Sequence, residues 1–331
     1  MLLAAMLHPA AVPAISAPWT ATLSSAEHTI TLYFLVVAAL AFIAGFVRAW
    51  NTRTEVGSRY RTAVVARLGI MSIALLCYVF LVFEFMSGYR NSPAGWVPTA
   101  DAIIAFSSRY MEWSLTVPLL AVELLAVCTL VGGHARRVRS VAVGCSFLMI
   151  FTGFLGAVVI GAGENEFQML VLGAISCVFW AATTLVLVLT VRTSLSRLTP
   201  EAAGLLRTAT LLLLGGWFIY PSVYVIQIFC SSGTITTAGQ VILTVADVVV
   251  KLGFAGLIHR VAKLRTAEDV RAGEDIHHEA IWISSIKQSD AGLPVVVYLA
   301  TGASVHRERS RPASSAAVAV SAEEEGSDSQ L

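Results

Sequence analysis

The chain has 331 residues, of which 56% are hydrophobic and only 13% are charged, and its formal net charge is +1. A soluble domain of this size could not bury so much apolar surface in one core, so the composition excludes a soluble protein and indicates an integral membrane protein. Its arginines are spread between apolar runs and not pooled on one segment, which argues against a nucleic-acid partner.

The first 28 residues precede the first long apolar run and form an extracellular segment in this interpretation. They start with a short apolar stretch, MLLAAMLHPAAVPA, that has no basic region before it. A cleaved signal peptide therefore stays an open alternative for residues 1–28.

Seven apolar segments follow, and each is long enough to cross a bilayer as a helix. They cover residues 29–50, 61–86, 99–131, 140–162, 166–191, 203–229 and 236–260. We therefore predict an all-α, seven-transmembrane-helix bundle over residues 29–262, a multi-pass protein of the plasma membrane surrounded by lipid.

The connections between these segments alternate in charge. Arginines are concentrated after the first, third, fifth and seventh segments, whereas the other connections are nearly free of cations. By the positive-inside rule the N-terminus is extracellular and the C-terminus is cytoplasmic. Residues 263–331 are polar and end in AEEEGSDSQL, which is typical of a disordered cytoplasmic tail. The five cysteines and seven histidines show no metal-ligand spacing, so no metal site is predicted.

The third segment carries ionisable residues at helical spacing, in the string RYMEWSLTVPLLAVELL. Arg109, Glu112, Thr116 and Glu123 are offset by intervals that place all four along one stripe of a helix. The two glutamates are about 16 Å apart along such a helix. They cannot form one acid-base pair, and a proton or charge must be carried between them.

The seventh segment contains a lysine, Lys251, within an apolar run. A charge at mid-bilayer costs at least about 2.5 to 3.5 kcal/mol, so such a residue is a functional-site candidate. Asp247 lies four residues earlier, on the same helical face, and can neutralise the amine. Taken alone, this pair could also be a structural ion pair that only holds helices together.

Three strings together resemble a known family: RYMEWSLTVPLL on the third segment, WFIYPSVY on the sixth and DVVVKLGF on the seventh. They resemble the microbial (type 1) rhodopsins, and among these the light-driven proton pumps of the proteorhodopsin and xanthorhodopsin group. The resemblance covers residues 29–262 and excludes the tail.

The resemblance implies a role for each matching residue. Lys251 would bind all-trans retinal as a Schiff base, Glu112 would be the counterion and proton acceptor, and Asp247 the second counterion. Arg109 would lie on the extracellular side of these carboxylates, Thr116 would hydrogen-bond near the acceptor, and Glu123 would be the cytoplasmic proton donor. The same resemblance implies a retinal pocket. The pocket residues would be Tyr78, Trp113, Leu120, Met149, Gly153, Ser176, Trp217, Tyr220, Pro221 and Tyr224, with Thr152 and Cys177 at the ring end. Ordinary helix packing is the alternative interpretation of these side chains.

Topology adds a direction to these roles. With the N-terminus outside, Glu112 and Asp247 lie on the extracellular side of their stripe and Glu123 lies toward the cytoplasm. The sequence thus predicts a light-driven outward proton pump and no enzyme activity. The resemblance further implies a homo-oligomer, either a pentamer or a hexamer. It also implies that a carotenoid antenna could bind near Gly173, because glycine at this position leaves space for a carotenoid in some relatives. Close helix packing is the commoner reason for a glycine in a membrane helix.

Departures from the family pattern keep alternatives open. Glu112 stands where the pumps usually have aspartate, and glutamate at this position also occurs among channelrhodopsins. A light-gated cation channel is therefore the first alternative. Glu84 on the second segment is a further residue that motivates it. A photosensor that signals through the tail is the other. Tyr78 follows Cys77, so a histidine that many proteorhodopsins have at that position is absent. An anion pump is disfavoured because Glu112 would place negative charge where the anion must bind.

Overall fold

A computed structural model describes residues 17–230, 232–273, 281–282 and 296–297 of the chain. The signal-peptide question falls largely on residues 1–16, outside the described part, as does most of the tail predicted to be disordered. Within the tail, Ile281–Trp282 and Val296–Val297 pair as two short antiparallel strands.

The described chain is an all-α bundle, as predicted. Its helices are α1 (Ser25–Asn51), α2 (Arg61–Gly88), α3 (Ala102–Ala126), α4 (Gly132–Phe154), α5 (Glu166–Leu195), α6 (Pro200–Trp217), α7 (Ile219–Phe229), α8 (Gly233–Val248) and α9 (Phe254–Ala272). A π turn, Leu155–Val159, extends α4, and a second π turn, Val249–Gly253, joins α8 to α9. Short 3-10 turns occur at Pro18–Thr20, Ser58–Tyr60 and Gly161–Gly163. Since α6 continues into α7 and α8 into α9, these helices make seven spans.

Helix ends differ from the predicted segment ends. The fourth helix begins at Gly132 and not at residue 140, the third ends at Ala126 and not at residue 131, and the last continues to Ala272, beyond residue 260. Hydropathy detects apolar residues and not helix ends. It therefore includes the largely apolar residues 127–131 after the third helix, and it misses the polar turns at the start of the fourth helix and at the end of the last. Gly273 stops α9, because its φ of 74° is a left-handed conformation that suits glycine.

Helix starts are explained by local chemistry. Ser24 and Glu27 form a capping box at α1, since the Ser24 amide donates to the Glu27 carboxylate at 2.8 Å and the Glu27 amide to Ser24 Oγ at 3.3 Å. Asn165 caps α5 and Ser232 caps α8 in the same way through one hydrogen bond each. Pro200 occupies the first position of α6, where its missing N–H is not needed.

The sixth span is interrupted at Phe218, between α6 and α7. Pro221 has no N–H to donate to the carbonyl of Trp217, so the regular hydrogen-bond pattern cannot pass this point. The break gives the span a change of direction beside Trp217 and Tyr220.

The helices pack in a closed ring. α1 contacts α2 and α8, α2 contacts α3, α3 contacts α4, α4 contacts α5, and α6 contacts both α5 and α9. Many large apolar side chains are exposed, as expected for lipid contact; they include Leu40, Phe80, Phe83, Leu211 and Phe229.

In the part of the chain that the structure describes, six helices are long and apolar enough to cross a membrane, and the third helix, Ala102–Ala126, is not among them. That helix carries Arg109, Glu112 and Glu123, and all three are buried in the bundle. A span whose charged residues face the interior of the bundle has a lower mean hydropathy than its neighbours, but it is embedded in the membrane as deeply as they are.

A β-hairpin that hydropathy does not indicate closes the end of the bundle where α2 stops. Its strands, β1 (Tyr89–Ser92) and β2 (Gly95–Pro98), are antiparallel. Trp96 pairs through its backbone with Leu23, at 2.8 and 2.9 Å, and its ring stacks on His28 at 3.8 Å. The hairpin thus fixes the start of α1 to the connection between α2 and α3.

Candidate functional site

Lys251 lies at the centre of the bundle, in the π turn Val249–Gly253 between α8 and α9. Its side chain is almost fully buried, and its Nζ is 2.8 Å from Oε1 and 2.9 Å from Oε2 of Glu112. Oδ1 of Asp247 lies 2.9 Å from the same nitrogen. The amine therefore contacts two carboxylates, one from α3 and one from its own span, whereas the sequence alone paired it only with Asp247. We call these three residues the lysine cluster.

The π turn matters for this geometry. It adds a residue to a turn of helix and so changes which side chains of α8 and α9 share a face. Asp247 precedes the turn and Lys251 lies within it, and their side chains still meet.

Asp247 accepts several further hydrogen bonds. Tyr78 donates its hydroxyl to Oδ2 at 2.9 Å, Tyr220 donates to Oδ1 at 2.7 Å, and Nε1 of Trp113 is 3.2 Å from both oxygens. A carboxylate with this many donors is strongly held in its ionised form and in one orientation.

Arg109 lies beside this group but does not contact either carboxylate of the lysine cluster. It donates to Tyr78 at 3.1 Å, to Oε1 of Gln240 at 3.0 Å and to Thr244 at 2.7 Å. Tyr78 thus links the guanidinium to Asp247, and the buried arginine has polar partners on α2 and α8. Gln240 and Thr244 were not singled out from the sequence, although they lie seven and three residues before Asp247 and so on its side of the helix.

Thr116 is buried one turn after Glu112. Its hydroxyl donates to the backbone carbonyl of Glu112 at 3.2 Å. This contact lies next to Glu112, the predicted acceptor.

An apolar cavity of about 310 Å³ lies beside the lysine cluster. Eight of the ten residues predicted to form a retinal pocket line it: Trp113, Met149, Gly153, Ser176, Trp217, Tyr220, Pro221 and Tyr224. Trp113 and Tyr220 also bind Asp247, so the cavity and the lysine cluster share a wall. Their rings meet edge to face with centroids 4.9 Å apart.

The other two residues predicted for this pocket do not line the cavity. Tyr78 is bonded to Asp247 and Arg109, and Leu120 is buried elsewhere on α3. Cys177 lines the cavity, whereas the hydroxyl of Thr152 is bonded to its own helix at Leu148. Residues not predicted for the lining are Tyr110, Val117, Ile150, Met169, Leu170, Ala174, Trp180, Val225 and Ile228, as well as Gly173. Several of these residues lie one residue or one helical turn from a predicted lining residue. Helical spacing from the predicted residues would therefore have identified them.

The residues present suit retinal. The cavity is apolar and aromatic, and it adjoins a buried primary amine, which are the properties needed by a long polyene aldehyde. Gly173 lies in its wall with the ring of Tyr224 directly against it, and Tyr224 donates its hydroxyl to the carbonyl of Met169 at 2.9 Å.

Glu123 lies on α3 about 16 Å from Glu112 along the helix axis. It is 1% exposed, and its Oε2 has no hydrogen-bond partner among the described residues. The four residues of the predicted stripe are therefore all buried, but only Glu112 reaches the lysine.

Glu84, the additional residue of the channel alternative, is half-buried on α2. It accepts a hydrogen bond of 2.7 Å from Ser108. Cys77, just before Tyr78, lies 3.5 Å from the Ser108 carbonyl. These residues have contacts of their own apart from the lysine cluster.

Comparison with known proteins gives consistent results. Residues 28–264 match the family model of bacteriorhodopsin-like proteins. The green-light absorbing proteorhodopsin of Gamma-proteobacterium EBAC31A08 is 27% identical over 248 residues, which are 72% of this chain and 88% of the relative. Sensory rhodopsin-2 of Natronomonas pharaonis is also 27% identical, over 75% of this chain and 93% of its own length.

Among solved structures, xanthorhodopsin, described as a light-driven ion pump with dual chromophore, superposes with a TM-score of 0.67 at 26% identity. The match covers 75% of this chain and 98% of that structure. A thermophilic rhodopsin gives a TM-score of 0.68 at 25% identity. The family is one of light-driven pumps and sensors, and membership implies a retinal chromophore in a lipid environment. The resemblance seen in the three sequence strings is thus confirmed, and the chain belongs to the bacteriorhodopsin-like family of integral, multi-pass microbial rhodopsins.

Proposed function

We propose that this protein is a light-driven outward proton pump with retinal attached to Lys251. The observation that carries the proposal is the placement of two buried carboxyl groups on α3. Glu112 contacts Nζ of Lys251 at 2.8 Å, and Glu123 lies farther along the same helix toward the predicted cytoplasmic side.

Bound retinal would be joined to Nζ as a protonated Schiff base, and its isomerisation by light would supply the energy that changes the proton affinity and direction of that nitrogen. Glu112 is the acceptor because its carboxylate is in hydrogen-bond contact with Nζ. Asp247 remains ionised, since it is held by Tyr78, Tyr220 and Trp113, and it keeps the site electrically balanced.

Arg109 places a positive charge on the extracellular side of Glu112 and Asp247, without forming an ion pair with either carboxylate. Its three polar partners fix the guanidinium, and it favours the onward movement of a proton from Glu112 to the outside. Glu123 refills Nζ from the other side. The apolar surroundings of Glu123 favour the protonated form that a donor requires.

The test is illumination of cells or sealed vesicles that carry the protein loaded with retinal, while external pH is followed. External acidification that a protonophore abolishes is the expected result. A current that reverses with membrane voltage would instead identify a cation channel. A photocycle with no ion movement would overturn the pump and identify a sensor, the second candidate, which the similarity to sensory rhodopsin-2 favours.

A second chromophore belongs to the same proposal. Xanthorhodopsin is described as having a dual chromophore, and here Gly173 forms part of the cavity wall on α5 beside Tyr224. We propose that a carotenoid lies against this face. The excitation spectrum of the photocycle should then gain the carotenoid bands when carotenoid is supplied, and a Gly173→Trp variant should lose them while keeping the retinal band.

We further propose a homo-oligomer, a pentamer or hexamer, on the basis of the family alone. Light scattering of the protein in small nanodiscs or native mass spectrometry measures the copy number directly, and a monomer would contradict this part of the proposal.

A further inference from the structure

Arg67 on α2 is a buried cation that the proposed function does not use. It is 5% exposed. Its Nη2 donates to the backbone carbonyl of Ala49 at 3.1 Å and to Oγ1 of Thr52 at 3.0 Å, both at the end of α1. Its Nε has no hydrogen-bond partner among the described residues. A guanidinium stays charged at any physiological pH, so this is a permanent positive charge inside the bundle.

Glu123 lies on α3 close to the level of Arg67. The two helices pack against each other, with Cys77 beside the Ser108 carbonyl and Gly69 beside Leu119, so that the chain of α2 reaches Arg67 near the turn of α3 that carries Glu123. The charge of Arg67 therefore acts on Glu123, yet no ion pair within 4.0 Å joins them in the described part of the chain. Both carry a buried polar atom without a partner, Nε of one and Oε2 of the other. The guanidinium is instead bound at Nη2 by the two acceptors at the end of α1.

Other ionisable groups lie near Arg67, namely Arg48 on α1, Glu55 after α1 and His259 on α9. Glu55 is bound to His259 at 3.0 Å and to Lys263 at 2.8 Å. These groups and Thr52 line a cavity of about 250 Å³. Thr52 thus lines this cavity and also binds the arginine.

The consequence for Glu123 follows from simple electrostatics. A carboxyl group in apolar surroundings resists ionisation, because the anion loses its hydration. A nearby fixed cation lowers that resistance. Since the cation is not in contact, the carboxyl group is free to hold its proton at rest and is still stabilised once the proton has left.

We propose that Arg67 is a positioning residue that stabilises the carboxylate of Glu123 after the O–H bond of Glu123 breaks and its proton passes to the nitrogen of Lys251. The use of this step in a pump rests on the proposed function. The electrostatic link between Arg67 and Glu123 does not, and the two can be tested separately.

The first experiment measures the protonation of Glu123 at equilibrium in the dark. The carbonyl stretch of its protonated carboxyl group, assigned by its loss in Glu123→Gln, is followed by infrared spectroscopy against pH in the retinal-loaded protein. Arg67→Gln should raise the pH midpoint of this band by about one unit or more, a tenfold rise in proton affinity. Arg67→Lys, which keeps a positive charge, should change this pH midpoint much less than Arg67→Gln.

Thr52→Val is the matched control, because it removes one hydrogen bond of Arg67 and leaves its charge. Its midpoint should stay close to that of the parent. Arg67→Met, an apolar side chain of similar length, repeats the measurement in case the glutamine variant does not fold. Equal midpoints in the parent and in the neutral variants would overturn the proposal, whether or not the protein pumps.

The second experiment follows recovery after a light flash. Arg67→Gln should slow the return of the proton to the nitrogen of Lys251 by about tenfold, and added azide, a small diffusible weak acid, should restore the rate because it bypasses Glu123. Unchanged recovery in Arg67→Gln, or slowing without rescue, would contradict the proposal. If the parent itself never loses that proton, the pump fails, and the infrared titration still decides the role of Arg67.

Discussion

The lysine cluster and the surroundings of Glu123 are both buried and both contain charge, but they are built differently. Around Lys251, each charged group contacts an opposite charge or several hydrogen-bond donors. Around Glu123, the carboxyl group and Arg67 each keep an atom without a partner, and they interact without touching. A carboxylate paired with a cation is favoured in its ionised form, whereas a carboxyl group in apolar surroundings is favoured in its protonated form. In the proposed pump, this difference suits an ionised acceptor at one end of the proton path and a protonated donor at the other.

The largest expected effect comes from removing the centre of the paired region. Lys251→Ala should abolish retinal attachment and leave no visible absorption band after retinal is added. It should also destabilise the protein by about 3–5 kcal/mol, because Glu112 and Asp247 then lose their shared cation. Absorption spectra and thermal unfolding measure both effects. Lys263→Ala, which alters a partly exposed lysine on α9, is the control and should keep the band; a normal band in Lys251→Ala would refute the attachment site.

The next effect tests the acceptor. Glu112→Gln should reduce light-driven acidification about 100-fold or more, since a neutral amide cannot take the proton from Nζ. The visible band should shift as well, because one carboxylate beside the chromophore has been lost. Glu84→Gln, on the neighbouring helix, should leave pumping unchanged. Persistent acidification in Glu112→Gln would assign the acceptor role elsewhere, with Asp247 as the obvious candidate.

A smaller effect is expected at Glu123, whose carboxyl group forms no ion pair among the described residues. Glu123→Gln should leave the first proton transfer intact and slow recovery of the dark state by about 10- to 100-fold. Flash photolysis at two pH values measures this, and the slowing should grow as pH rises because protons must then come from bulk water. Recovery at the parent rate would show that Glu123 is not the donor.

The smallest effect concerns Glu55, which lines the cavity of about 250 Å³ together with His259 and Lys263. Burial opposes the ionisation of Glu55, but its contacts with Lys263 and His259 outweigh burial and lower its pKa. A carboxyl group whose pKa is lower in the folded state stabilises the fold above its unfolded pKa, and the gain is lost as pH falls through the folded value. The side chain is 34% exposed, so solvent screening limits the gain to about 1 kcal/mol.

Glu55→Gln should therefore lower the thermal unfolding temperature by a few degrees at pH 7. The difference from the parent should shrink as the solution is made more acidic than the ordinary titration range of glutamate. Glu164→Gln, at an exposed position before α5, is the control for the loss of a carboxylate elsewhere in the chain. A difference that stays constant with pH would mean that the charge of Glu55 is not what stabilises this region.

Much of this arrangement could be predicted from the sequence. The stripe of Arg109, Glu112, Thr116 and Glu123 required only helical spacing, and all four residues are buried as expected. The contact between Lys251 and Glu112 required the family resemblance, since no local pattern connects residues on separate helices. Arg67 was missed because one arginine near the basic end of an apolar segment is typical of an interfacial residue, and only packing shows that it is buried.

Backbone irregularities were beyond prediction for a different reason. The hairpin Tyr89–Pro98 depends on its pairing with Leu23, far away in sequence. Likewise, the π turns at Leu155–Val159 and Val249–Gly253 depend on which side chains the neighbouring helices accept. Periodicity analysis assumes a constant turn, so it cannot locate the places where the turn changes.

The π turn at Lys251 has a consequence for how this chain can vary in length. Each residue of an α-helix turns the chain by about 100°, so deleting Val249 or Val250 would restore a regular helix and rotate everything on one side of it. Either Lys251 would leave Glu112, or His259 and Lys263 would leave Glu55. A substitution in this turn changes one contact at a time, whereas a one-residue deletion would prevent the lysine cluster and the contacts of Glu55 with His259 and Lys263 from forming together. The span can therefore tolerate changes of side chain far more readily than any change in the number of residues between Asp247 and His259.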